Sequence, residues 1–112
     1  MILQKQGNAT EAEATMKEAL PLGSMIDLHQ YGRQLIAEKK PKDALEVFKL
    51  NAKKNPGVFT TDMGLARGYS ANGDYKNALK YAKLAQPLAP DKPNKDGVDK
   101  MIQLLTEGKD VN

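Results

Sequence analysis

Apolar residues recur along most of this chain at the spacing of one helical face. Leu28, Tyr31, Leu35 and Ile36 form one stripe, and Leu45, Phe48 and Ala52 a second. Val98, Met101, Ile102 and Leu105 form a third, with Asp99, Lys100 and Gln103 on the opposite side. No stretch alternates with the period of a strand. The punctuation also suits helices. Pro41 fits a first helical turn and Asp74 is placed to N-cap a helix over residues 75–86. Pro56 and Pro90 stand where second helices must stop, because proline cannot continue them. The pattern predicts an all-α fold: two helix hairpins over residues 25–54 and 59–86, an earlier helix over 11–20, and a closing helix of about 13 residues ending near Gly108. The tail Lys109-Asp110-Val111-Asn112 is expected to fray.

The two hairpins repeat one another. Residues 25–56 and 59–90 align without a gap at an offset of 34, sharing Arg33/Arg67, Ala37/Ala71, Lys42/Lys76, Ala44/Ala78, Leu45/Leu79, Lys49/Lys83, Leu50/Leu84 and Pro56/Pro90. A fixed period of this size marks a stacked helical repeat, in which no unit buries its apolar face alone. The segment Leu28-x-x-Tyr31-Gly32-x-x-Leu35, then Ala44-x-x-x-Phe48, then Pro56 resembles the tetratricopeptide pattern W-x-x-L-G-x-x-Y…A-x-x-x-F…P. The second copy reads Leu65-Ala66-x-x-Tyr69, Ala78-x-x-x-Ala82, Pro90, and departs from that pattern at Asp62 and Ala82. The resemblance covers residues 25–90. It implies a right-handed superhelical array with a C-terminal capping helix, divided into a partial repeat (1–24), two repeats (25–58 and 59–92) and the cap with its tail (93–112). Ala44 and Ala78 are then the small residues that let the two helices of a unit approach closely.

Residues 7–20 read as the turn and second helix of an earlier unit, Gly7 standing for Gly73 and Ala12 for Ala78. The first helix of that unit is mostly missing, since Met1 lies only six residues before Gly7. The expectation is a C-terminal piece of a longer protein, or a chain that borrows a helix. Apolar surface around Ala12, Met16 and Ala19 is then expected to self-associate through this N-terminal edge. The run from Tyr31-Gly32-Arg33-Gln34-Leu35 to the closing Glu107-Gly108-Lys109-Asp110-Val111-Asn112 also resembles the C-terminal array of certain exported bacterial proteins that begin with a β-rich domain of unknown function. That resemblance implies no activity, and it leaves the compartment open.

Composition narrows the function classes. The chain has 112 residues, the size of one domain, with 17 basic and 14 acidic side chains. The basic excess is local, because residues 38–54 hold six lysines against three acids. Lys42, Lys49 and Lys53 fall on an outer helix, as a solvated convex face would have them. Nucleic-acid binding calls for aromatics interleaved with basic residues on the working surface, whereas the tyrosines and phenylalanines here fall at packing positions, so no nucleic-acid partner is expected. There is no cysteine and His29 is the one histidine, so no catalytic triad or dyad and no histidine metal cluster can be assembled; neither metal nor cofactor is expected. The acids near Asp91, Asp96 and Asp99 fail as a calcium loop, because Lys92 lands on the first ligand and Gln103 on the last. No apolar run is long enough to cross a membrane. Gly64-x-x-x-Gly68 reads as close helix packing.

What remains is a noncatalytic protein–protein interaction module. In tetratricopeptide arrays the first helix of each repeat lines the concave side, and the resemblance carries that role to Ile26, His29, Arg33, Ile36 and Ala37, then Thr60, Met63, Arg67, Ser70 and Ala71. The candidate ligand-binding residues are His29, Arg33, Ile36, Thr60, Met63, Arg67 and Ser70. Arg33 and Arg67 hold the same position in successive repeats, which suits an acidic peptide because guanidinium groups grip carboxylates bidentately. The alternative is that both arginines pair with local acids such as Asp27 or Asp62 and only solubilise the face. His29, with an ordinary pKa of about 6.5, is expected to strengthen acidic binding below neutral pH. The family's chaperone-binding carboxylate clamp uses lysines and asparagines at positions held here by His29, Arg33 and Gly64, so that function is not implied. A structural appendage that packs against the rest of a larger protein, or self-associates, is the second reading. A groove filled by the chain's own tail would favour it. An RNA-binding helical repeat is the third, with a steep loss of affinity in salt as its signature.

Overall fold

Helix α1 (Met25–Ala37) starts on a reciprocal cap: the Ser24 hydroxyl accepts from the Asp27 N–H at 3.1 Å, and the Asp27 carboxylate accepts from the Ser24 N–H at 3.3 Å. Helix α2 (Pro41–Lys54) opens on the expected proline, whose missing N–H would have had no helical partner. Helix α3 (Phe59–Ala71) follows, then α4 (Tyr75–Ala85), capped by Asp74 through the Asn77 N–H at 3.2 Å. A short 3₁₀ turn (Gln86–Leu88) leads to α5 (Lys92–Thr106), capped by Asp91 through the Asn94 N–H at 3.0 Å. The computed structural model describes residues 24–112, and there is no strand among them. The helix expected over 11–20, its Gly7 turn and the edge formed by Ala12, Met16 and Ala19 lie outside the described residues.

The sequence period is also a structural one. Helices α1 and α3 begin at 25 and 59 and end at 37 and 71, while α2 and α4 begin at 41 and 75, each pair separated by 34 residues. Helix α4 ends at Ala85 rather than running to Gln86, because Pro87 lacks the N–H that another α turn needs and the chain tightens into the 3₁₀ turn. Helix α5 is 15 residues long and carries the expected stripe, with Val98, Met101 and Leu105 buried.

Helices α1, α3 and α5 stop in the same way. The first residue past each cap is left-handed and bonds back to the helix (Lys39 N–H to Ile36 O, 3.0 Å; Gly73 to Ser70, 2.9 Å; Gly108 to Leu105, 3.0 Å). The next N–H reaches one residue deeper, Lys40 to Leu35, Asp74 to Tyr69 and Lys109 to Leu104, each at 2.9 Å. Gly73 and Gly108 adopt the required φ of 78° and 74° without a Cβ penalty, whereas Lys39 does so at 65° with one.

Helix α1 packs on α2 and α3, α2 on α3, α3 on α4, and α4 on α5. Helix α3 therefore serves both hairpins, giving Leu65 to a core with Leu28, Leu35, Val47 and Phe48, and Ala66 to a core with Ala78, Ala82 and Val98. Ala44 and Ala78 are wholly buried, as close approach of paired helices requires. The first core centres on the Phe48 ring. A Cβ at Gly32, Gly64 or Gly68 would lie 2.4, 2.6 or 2.9 Å from a ring carbon, so the glycines let α1 and α3 close around it. Buried Asn51 ties the hairpin together, its amide donating to Met25 O at 3.0 Å.

Candidate functional site

Helices α1 and α3 lie side by side, and the arginines they carry at equivalent positions meet on one face. Arg33, Ile36, Ala37 and Arg67, with Val111 and Asn112, line a cavity of about 320 Å³. A neighbouring cavity of about 530 Å³ shares Ile36, Ala37 and Asn112 and extends to Lys39, Pro41, Ala71 and Asp110. Arg33 is exposed and Arg67 half-buried. Burial first, and the Arg33 charge second, weaken the hold of Arg67 on its proton. The Nε of Arg67 is shut off from solvent with no hydrogen-bond partner among the described residues. An unmade bond on a buried polar group costs about 1–3 kcal/mol, and more when the group is charged.

Neither arginine is neutralised by a local acid. The ion pairs among the described residues are Lys49–Glu46, Lys92–Asp96, Lys95–Asp99 and Lys109–Glu107. Asp27 is occupied with the α1 cap. Asp62 faces a different cavity, of about 440 Å³, beside Lys49, Lys53 and Tyr69, and burial alone raises its pKa. The face carries two positive groups side by side.

His29 sits beneath them. Its ring centroid is 5.7 Å from that of Phe48, and its Nδ1 lies 3.3 Å from where a Gly64 Cβ would be. That nitrogen is buried and has no hydrogen-bond partner among the described residues. Burial above all, then the charges of Arg67 and Arg33, lower the His29 pKa from 6.5 to about 4. The ring is therefore neutral through the mildly acidic range, which overturns the expectation that it strengthens acidic binding just below neutral pH.

Ser70 is buried and already engaged. Its hydroxyl donates to the Asp110 carboxylate at 2.5 Å and accepts from the Val111 N–H at 3.0 Å. One residue further on, the Asn112 amide donates to the Arg67 carbonyl at 2.9 Å. The Asp110 carboxylate also accepts from the Asn112 N–H at 3.1 Å, which folds the segment into a local turn. The tail expected to fray is thus docked on α3, aimed there by the Gly108 turn that ends α5.

Of the candidate residues, Arg33, Ile36, Arg67 and Ser70 converge on this face, with His29 packed below it. Met63 does not join them: it is 9% exposed and belongs to the core with Ala66, Val98 and Met101, so its side chain serves the interior. Thr60 is half-buried and lines neither groove cavity. Sequence reasoning missed Asp110, Val111 and Asn112. The one available signal was the Asp-x-Asn spelling of a local turn, placed directly after a glycine helix stop. No helix among the described residues is long and apolar enough to cross a membrane. No protein-family model, no curated protein and no solved structure matches the chain.

Proposed function

We propose that this chain is a tetratricopeptide-type array acting in protein–protein interaction, and that the groove between α1 and α3 binds an acidic peptide segment. The array reading is supported by helix boundaries that recur every 34 residues and by the shared stop of α1, α3 and α5. The observation that carries the binding reading is the arginine pair. Two guanidinium groups line one 320 Å³ cavity, and no carboxylate among the described residues pairs with either. A peptide carboxylate would offset their mutual repulsion and add charge-assisted hydrogen bonds, worth about 1.5–3 kcal/mol each.

The test is calorimetric binding of an alternating Glu-Asp hexapeptide and its Gln-Asn counterpart. The acidic peptide is expected to bind and the amide version to bind at least tenfold more weakly, since about 1.4 kcal/mol is a factor of ten. Arg33→Ala with Arg67→Ala should weaken binding more than either change alone, and Arg33→Ala by itself should leave the thermal midpoint almost unmoved, because exposed charges contribute little to folding. Equal affinity for the two peptides would overturn the reading.

The docked tail favours the second reading, of a domain that packs against its own polypeptide. If self-packing is the whole role, releasing the tail will lower stability and open no peptide site.

A further inference from the structure

The tail satisfies Ser70 and leaves the arginines unanswered. Asp110 supplies a carboxylate to the Ser70 hydroxyl, and Val111 returns a backbone N–H to the same oxygen. The residue that enters the cavity of Arg33 and Arg67 is Asn112, whose side-chain amide donates both to the Arg67 carbonyl at 2.9 Å and to the Asp110 carboxylate at 3.0 Å. The segment therefore presents one side-chain acid where the groove has places for two: a hydroxyl that binds the first, and two residues further on a pair of guanidinium groups with which no side-chain carboxylate among the described residues is paired.

We propose that residues 110–112 are an intramolecular occupant of the groove, and that the partner displacing them carries two acids in the spacing Asp-x-Asp. This rests on the acidic-peptide reading and narrows it. The first acid of the partner takes the place of Asp110 on Ser70. The second takes the place of Asn112, where its carboxylate gives up the amide's bonds to the Arg67 carbonyl and to the first acid and turns toward the two guanidinium groups, whose charges offset the repulsion between the two acids. The middle residue needs only a backbone N–H for Ser70, as Val111 has, so its side chain is free to vary.

The tether makes weak docking sufficient. The Lys109 N–H is fixed to Leu104 O at 2.9 Å, so the tail leaves α5 in a set direction one residue before it reaches Ser70. A short tether gives an effective concentration on the order of millimolar. A tail whose free counterpart binds at about 0.1 mM is then docked roughly nine-tenths of the time. Releasing it should tighten a competitor about tenfold.

The experiment uses the whole chain, intact and as Asp110→Ala, with Ser70→Ala added to the latter. Two amidated, fluorescein-labelled peptides are titrated by anisotropy: Thr-Glu-Gly-Lys-Asp-Val-Asn, the chain's own ending, and the same peptide with Asp in place of the final Asn. Far-UV circular dichroism confirms that each variant is folded. The expected result is that the Asp-ending peptide binds Asp110→Ala about tenfold more tightly than the intact chain, and more tightly than the Asn-ending peptide binds the same variant. Adding Ser70→Ala should abolish this gain. Equal binding of the Asp-ending peptide to the intact and Asp110→Ala chains would show that the tail is no occupant and would overturn the proposal. So would equal binding of the two peptides to Asp110→Ala, because the arginines would then not read the second acid. Failure of both peptides on Asp110→Ala, while the Glu-Asp hexapeptide still binds the intact chain, overturns the inference and leaves the acidic-peptide reading standing. Failure of all three peptides overturns both.

Discussion

Replacing Gly32 with alanine pits two opposed effects against each other. In the interior of α1 the change should help, since glycine costs about 1 kcal/mol relative to alanine in a helix. The structure says the helix cannot take the benefit. The new Cβ would lie 2.4 Å from Cε1 and 2.5 Å from Cζ of Phe48, whereas ordinary contact begins near 3.4 Å, so ring or helix must shift by close to an ångström. Overpacking of that kind costs about 1–3 kcal/mol. The net expectation for Gly32→Ala is a loss of about 0–2 kcal/mol. Phe48→Leu lacks the two nearest ring atoms, and at the position of the third, Cδ1 at 2.9 Å, it places a methyl that can turn aside. It should cost about 1–3 kcal/mol by itself, but in its presence Gly32→Ala should stabilise, by up to about 1 kcal/mol. The sign of one substitution therefore depends on the other. Gly64→Ala makes a useful comparison, because its closest approach is to Cδ1, at 2.6 Å, an atom position that leucine also fills, so its rescue should be less complete. Urea unfolding followed by circular dichroism gives the four free energies of the cycle, provided the slope is unchanged across the variants. If Gly32→Ala stabilises the parent protein, or the two changes add to within about 0.5 kcal/mol, α1 and α3 do not close on the Phe48 ring.

Lys39→Gly should raise stability by about 0.5–1 kcal/mol in thermal or urea melts, since Lys39 holds a φ of 65° that its counterpart Gly73 adopts freely. Gly73→Ala should lower it by a similar amount or more. For His29, a folded pKa of about 4 lies below the unfolded 6.5, so the unfolded chain binds the extra proton in between and stability falls as pH drops through that window. The full shift would be worth about 3 kcal/mol, and with the ring only part-buried about half of that is expected. His29→Gln should flatten the fall, and a pH profile of urea midpoints shows whether it does. Acidic-peptide affinity, in contrast, should stay level from neutrality down to about pH 5.5.

What the sequence made legible was local or periodic. The three apolar stripes, the Asp74 cap and the Pro41 start depend on neighbours within a turn or so, and the 34-residue period set the helix boundaries. The cost of helical glycine pointed to close packing at Gly64 and Gly68, but nothing along the chain says that Phe48 is the ring they surround. Pairing of the arginines with Asp27 or Asp62 fails because those residues lie six and five positions before Arg33 and Arg67. Side chains on one helix meet at spacings of three or four. The depressed pKa of His29 arises where Phe48, Gly64 and both arginines meet, an environment that no single segment contains. Met63 shows the limit of carrying positions over from a resemblance, since its side chain is buried in the core that also holds Val98 and Met101, residues more than 30 positions away. The docked segment 110–112 has three residues and no period to read. Its docking depends on a serine 40 positions away.

The claim that matters most is that Arg33 and Arg67 read carboxylates in the groove. Their side-chain Nε–Hε signals in a two-dimensional NMR spectrum of the intact chain, assigned by single Arg→Lys substitutions, report on it directly. During titration with the Glu-Asp hexapeptide both signals are expected to move together and saturate, while the Gln-Asn peptide leaves them in place. Signals that stay fixed while the acidic peptide binds elsewhere, or that move equally with both peptides, would contradict the account.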